Sequence, residues 1–131
     1  MRKLKGLIIM LSILASLFGM TACSDGGANS YEQITPEQAK TMMDTESEYF
    51  IIDARTTEEF AEGHIADAIL IPEYEIAARA EKELPDKDAL ILVYCRSGRR
   101  SKIASEELVK LGYTNVKEFG GIIDWPYEVV K

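Results

Sequence analysis

The chain has 131 residues, which fits a single domain. Hydrophobic residues make up 47% and charged residues 28%, the balance of an ordinary packed fold. Against 15 Lys and Arg stand 22 Asp and Glu, a formal net charge of −7, which argues against a nucleic-acid partner.

Arg2, Lys3 and Lys5 open the chain, residues 7–18 are almost uniformly apolar, and Met20-Thr21-Ala22-Cys23 follows. A basic start, an apolar middle and small residues before a cut site form the pattern of a secretory signal. The apolar run is shorter than the roughly 20 residues a membrane span needs. Met20-Thr21-Ala22-Cys23 resembles the bacterial lipoprotein signal, with Met in place of the usual Leu. That resemblance implies cleavage of residues 1–22, a lipidated Cys23, and a membrane-anchored domain on the extracytoplasmic side. Losing a leader with three basic residues and no acid takes the net charge to −10. Anionic lipid would repel such a chain, so the acyl groups would do the anchoring. Cys23 and the small, polar, Gly-rich residues after it, 23–30, read as lipid attachment and flexible tether. The domain then runs over 31–131.

Within it, Glu32-Gln33-Ile34 reads as a short first strand. Thr35-Pro36-Glu37-Gln38 is a helix start, with Thr35 as N-cap, Pro36 at the first helical position and Gln38 placed for a capping box. A buried strand is expected over 48–54, a short helix over 57–62 ended by Gly63, and a short strand over 68–72. Residues 73–84 read as a helix with a solvated acidic face, and Pro85-Asp86-Lys87-Asp88 as a turn. Residues 89–94 form the most apolar and most central strand. Residues 99–111 read as a helix with Ile103, Ala104, Leu108 and Leu111 on one face, stopped by Gly112. A last strand over 116–119 leads through Gly120-Gly121 to Trp125. Strands alternating with helices imply a parallel sheet covered on both faces, with ligands beyond the carboxyl ends of the strands. Asp53, Cys95 and Gly120 all fall at or near such ends.

Cys95 carries the chemistry. It ends the apolar strand and opens Cys95-Arg96-Ser97-Gly98-Arg99-Arg100-Ser101, after which a helix runs on. A helix N-terminus beside cations favours the thiolate, the reactive form of a cysteine. Gly98 permits the left-handed backbone that so tight a loop requires. Arg96, Arg99, Arg100 and Lys102 make a basic spot on an acidic chain, suited to a small anion. With Cys23 lipidated, Cys95 is the only free thiol, so there is neither a structural disulfide nor a resolving cysteine. An exported lone thiol is at risk of oxidation, so its presence suggests use. The Gly- and Arg-rich residues that follow it predict a thiol that is not buried.

The loop from Cys95 to Ser101 resembles the active-site loop of the rhodanese (sulfurtransferase) family. Ile51-Ile52-Asp53-Ala54-Arg55, Glu59-Phe60, Gly63-His64-Ile65, Ala68 and Ile71-Pro72 resemble its first signature block. Gly112-Tyr113, Asn115-Val116 and Gly120-Gly121-Ile122 to Trp125 resemble its last. Asp67 departs from the usual Gly, and Ala54 from a bulkier apolar residue. The resemblance implies a rhodanese-like three-layer α/β fold, its central, mostly parallel five-stranded sheet flanked by helices on both faces. It also implies a mechanism: the Cys95 thiolate takes sulfane sulfur from thiosulfate or another small anionic donor. A Cys95 persulfide forms, and an external thiol or cyanide-like acceptor removes the sulfur. Main-chain N–H groups of Arg96, Ser97, Gly98, Arg99, Arg100 and Ser101 would stabilise the negative charge, and Arg96 and Arg99 would hold the donor. Arg100 either joins them or enters a structural ion pair.

The remaining polar residues read as structural. His64 orders a turn by hydrogen bonding, and Trp125 plugs the core. Asp53 and Arg55 either line the site or, as we favour, brace the loop and the following helix through hydrogen bonds and a pair with Glu58 or Glu59. No metal or cofactor is called for. One alternative is a rhodanese-like binding or sensing module with little turnover. Another is a cysteine phosphatase or arsenate reductase, which loop length disfavours: such phosphatases place Arg six residues after Cys, where this chain has Ser101, and usually His before it, where it has Tyr94.

Overall fold

A computed structural model describes residues 30–131. The expected leader, the lipidation of Cys23 and nearly all of the tether lie outside the described residues. Five strands form one sheet: β1 (Glu32–Gln33), β2 (Phe50–Asp53), β3 (Ile69–Leu70), β4 (Ile91–Cys95) and β5 (Val116–Gly121). Their order is β1-β5-β4-β2-β3, and every pairing is parallel. Four helices cover it: α1 (Pro36–Thr45), α2 (Thr57–Glu62), α3 (Ile76–Glu83) and α4 (Arg99–Lys110).

Local chemistry sets the helix starts. Thr35 Oγ1 accepts from the Gln38 N–H at 3.0 Å, and Gln38 Oε1 accepts from the Thr35 N–H at 2.9 Å, the expected capping box. Thr56 and Glu59 repeat it at α2. The helix expected over 73–84 begins differently. Glu73–Glu75 is a 3-10 turn, and α3 starts only at Ile76. No side chain caps either start, so the tighter turn absorbs the entry from Pro72. Asp67 has φ 68°, the one positive value outside glycine among the described residues. Asp67 thus takes up the left-handed backbone that favours glycine, a region Asp visits more readily than most residues. Gly112, at φ 99°, ends α4 as expected.

β4 is buried along its whole length, and its alternation sorts the molecule into two cores. Ile91, Val93 and Cys95 point to one face, with Ile52, Val116, Ile76 and Ala80 of α3, and Ala104 and Leu108 of α4. Leu92 and Tyr94 point to the other, with Ile51, Phe119, Trp125 and Ala39 of α1. A strand's side chains alternate by two, so a polar residue's parity in β2, β4 or β5 decides which core it enters. Cys95 and Glu118 share the α3/α4 face, whereas Asp53 shares the opposite face with Tyr94.

Candidate active site

β4 delivers Cys95 to the carboxyl end of the sheet, and the chain turns through Arg96–Gly98 into α4. Gly98 has φ 111°, which costs glycine nothing and any other residue strain. This backbone turns the Gly98 N–H onto Cys95 Sγ at 3.0 Å. The loop rests on β5. The β4–β5 register shifts between Val93 and Cys95: Val93 pairs with Glu118, but Cys95 pairs with Gly121. The extra residue in β5 is a bulge, and Gly120 sits in it at φ 90°. Gly121 then lies so close under the loop that a Cβ there would be 1.9 Å from the Arg96 carbonyl oxygen. The Ile123 N–H donates to that oxygen at 3.2 Å.

The structure corrects one expectation at the centre of the site. Cys95 is buried, with only 1% of the residue exposed. The Gly- and Arg-rich segment does not open the thiol to solvent; it wraps over it, while Arg96, Ser97 and Arg99 face outward. Of the loop's N–H groups expected to converge on sulfur, Gly98 supplies the hydrogen bond. α4 has no side-chain cap, and first-turn N–H groups lack partners within a helix, so those of Arg99, Arg100 and Ser101 remain available to an anion. Arg96, Arg99 and Lys102 form no ion pair among the described residues.

Arg100 resolves the other way. It makes two hydrogen bonds to Glu59, at 2.7 and 2.9 Å, joining the start of α4 to α2. The Arg100 hydrogen bonds hold the Glu59 carboxyl down at about 2, against an ordinary 4.5 and against the opposing effect of burial. The same pair raises Arg100. Asp53 and Arg55 pair with each other at 2.7 Å, not with Glu58 or Glu59. Arg55 also donates to the Gly63 carbonyl at 2.7 Å. Burial is the largest influence and opposes its charge, but the Asp53 hydrogen bonds and the charges of Asp53, Tyr94 and Glu59 together outweigh it and raise Arg55. Tyr94 donates to Asp53 at 2.6 Å and accepts from the Ile65 N–H at 3.0 Å. Burial, then the Asp53 charge, push its hydroxyl far above the ordinary range. These three residues brace the strand ends and the 63–65 turn on the face opposite Cys95. They do not line the thiol.

His64 behaves as read from sequence: Nδ1 lies 2.9 Å from the Phe60 carbonyl oxygen and the ring stacks on Phe60. Trp125 packs into the second core, 9% exposed. No three His, Cys, Asp or Glu side chains come together as a metal site among the described residues.

Sequence reasoning passed over Glu118. It is 2% exposed, it accepts from the Ser101 hydroxyl at 2.6 Å and from the Gly120 N–H at 2.8 Å, and Cys95 Sγ lies 3.3 Å from Ser101 Oγ. The available signal was a carboxylate two residues after Val116, on the parity that faces Cys95.

The sequence matches the rhodanese-like domain family over residues 35–126. The chain belongs to the rhodanese-like family. Among its relatives, the Escherichia coli thiosulfate sulfurtransferase PspE is 40% identical over 80 residues, covering 61% of this chain and 77% of the relative. A sulfurtransferase of Allochromatium vinosum is 41% identical over 88 residues, covering 66% and 79%. A solved E. coli rhodanese with anions superposes with a TM-score of 0.60 at 38% identity, covering 63% of this chain and 98% of that one.

Two outcomes follow from this packing. Gly121→Ala should cost about 3 kcal/mol in denaturant unfolding, because its methyl meets backbone that cannot yield. Gly120→Ala, with nothing within 4 Å of the new Cβ, should cost only the left-handed strain of about 1–2 kcal/mol. For the ion pair, ionised Glu59 stabilises the fold above pH 4.5, and that contribution is lost as pH falls from 4.5 through about 2. Thermal melts should show Glu59→Gln less stable than the parent near neutrality, with the gap closing in acid.

Proposed function

We propose that this rhodanese-like protein is a sulfurtransferase that carries sulfane sulfur on Cys95. The observation that carries the reading is the Gly98 N–H seated on Cys95 Sγ at 3.0 Å, at the uncapped start of α4. That donor stabilises negative charge on the sulfur, or on a persulfide in its place. Thiosulfate suits the site as donor: Arg96 and Arg99 are exposed cations free to bind its sulfonate end. The Cys95 thiolate attacks the outer sulfur, the S–S bond of thiosulfate breaks, and sulfite leaves with the bonding pair. The persulfide then gives its outer sulfur to an external thiol or cyanide and regenerates the thiolate. The names of the E. coli and Allochromatium relatives support this activity class.

The burial of Cys95 favours a second reading, a docking module with little turnover. A phosphatase reading is weakened further, because Ser101, at the position where an Arg would hold phosphate, turns its hydroxyl to Glu118. Intact mass spectrometry after incubation with thiosulfate separates the first two. The parent should gain one sulfur atom and release sulfite, and Cys95→Ser should do neither. A thiol that alkylates readily but never takes up sulfur would leave only the docking module.

A further inference from the structure

Ser101 has one proton and three oxygen acceptors around it: Glu118 Oε1 at 2.6 Å, the Gly98 carbonyl at 3.1 Å and the Gly120 carbonyl at 3.4 Å. A hydroxyl donates once and accepts twice, and the shortest, charge-assisted bond takes the proton. The Ser101 hydrogen therefore points at Glu118, and its lone pairs face Cys95 Sγ. The sulfur–oxygen contact at 3.3 Å is then made with the thiol as donor. The three groups form a directed chain: thiol to hydroxyl to carboxylate.

Glu118 is placed for the end of such a chain. It forms no ion pair among the described residues; besides Ser101 it receives the Gly120 N–H, and the Gln33 amide approaches at 3.5 Å. It borders a hollow of about 360 Å³ together with Gln33, Gly98, Lys102, Gly120 and Asp124. Glu118 borders that hollow and Cys95 does not.

We propose that Ser101 and Glu118 relay the Cys95 proton out of the site, so that the thiol is ionised from beneath the loop while the sulfur donor enters from above it. This rests on the sulfur-transfer reading and deepens it. The proton of Cys95 passes to Ser101 Oγ as the Ser101 proton passes to Glu118, which leaves a thiolate, a hydroxyl now donating to sulfur, and a neutral carboxylic acid. The thiolate forms its bond to the outer sulfur of thiosulfate, the sulfur–sulfur bond of the donor breaks, and sulfite departs with the electron pair. The Glu118 proton leaves through the hollow. Glu118 acts through Ser101 and touches no sulfur, so it is a positioning residue. The charged or titratable groups around the chain are Tyr31 beside β1, Arg100, Lys102 and Glu106 on α4, and Asp124 after β5; Tyr31 feels Glu106 and Glu118, and Arg100 feels Cys95.

The test is a pH titration of thiolate ultraviolet absorbance in the described domain within the full chain, with Cys95→Ser as the blank. A thiol sharing one proton with a carboxylate titrates in two steps, with a partial-thiolate plateau between them. The parent should show both steps. Glu118→Gln and Ser101→Ala should each collapse to a single alkaline step, and Ser101→Thr should restore the plateau. Persulfide formation from thiosulfate at neutral pH should slow on the order of 10²-fold in Glu118→Gln. A single step in the parent, or an unchanged plateau in Glu118→Gln, overturns the relay. If Glu118→Gln fails to fold, the contrast between Ser101→Ala and Ser101→Thr decides. Two steps in a parent that takes up no sulfur keep the relay and discard the transfer. One step in a parent that does take it up discards the relay alone.

Discussion

The contact between Gly121 and the Arg96 carbonyl is the constraint on which the site depends. The bulge in β5 advances the strand by one residue, and the missing side chain lets the loop settle directly on the sheet. Any Cβ at that point would lift Arg96 and Ser97. The Gly98 N–H would move with them, away from the sulfur that it now meets at 3.0 Å. A backbone donor is useful to a nucleophile only when its position is set to within a few tenths of an ångström. Here that setting comes from close packing of main chain against main chain, which flexible side chains could not provide.

Two buried polar networks are built into the sheet, and the parity of three strands keeps them apart. On one face, Tyr94, Asp53 and Arg55 satisfy one another and the Gly63 carbonyl. On the other, Ser101 and Glu118 meet Cys95. The first is closed: a buried charge pair, hydrogen-bonded on its remaining positions, rigidifies its surroundings. The second ends at a carboxylate that has no cation partner among the described residues and lies beside a hollow. Such an arrangement suits a function better than it suits stability.

Much of this was legible in the sequence, for reasons that can be assigned. The helix starts were visible because a capping box uses residues three apart, and Thr35 and Gln38 supply one. The position of Cys95 was visible because an apolar run ending in a glycine loop has few structural solutions. The burial of Cys95 was misread: exposed arginines say where their own side chains go, not whether the backbone between them closes over a neighbour. Arg100 could be left only as an alternative, since its partner Glu59 lies 41 residues away. Asp53 and Arg55 were expected to brace the loop and the following helix with Glu58 or Glu59 as partner, but they pair with each other and hold the Gly63 carbonyl. The i, i+2 pair across the end of β2 needs a strand that stops at Asp53, and the expected strand ran to 54. Glu118 was missed because a lone acid in a short strand looks like an edge residue until the partner strands are known.

The order of the strands has a bearing on how this molecule comes into being. β1 is the first described strand to be made and pairs only with β5, the last. A chain lacking its final residues therefore has no neighbour for its first strand, no bulge, and no floor under Arg96. The central pairing of β2 with β4 can assemble earlier, but the nucleophile's surroundings cannot. Contacts this distant along the polymer slow assembly relative to local ones, and here they also make reactivity the last property to mature.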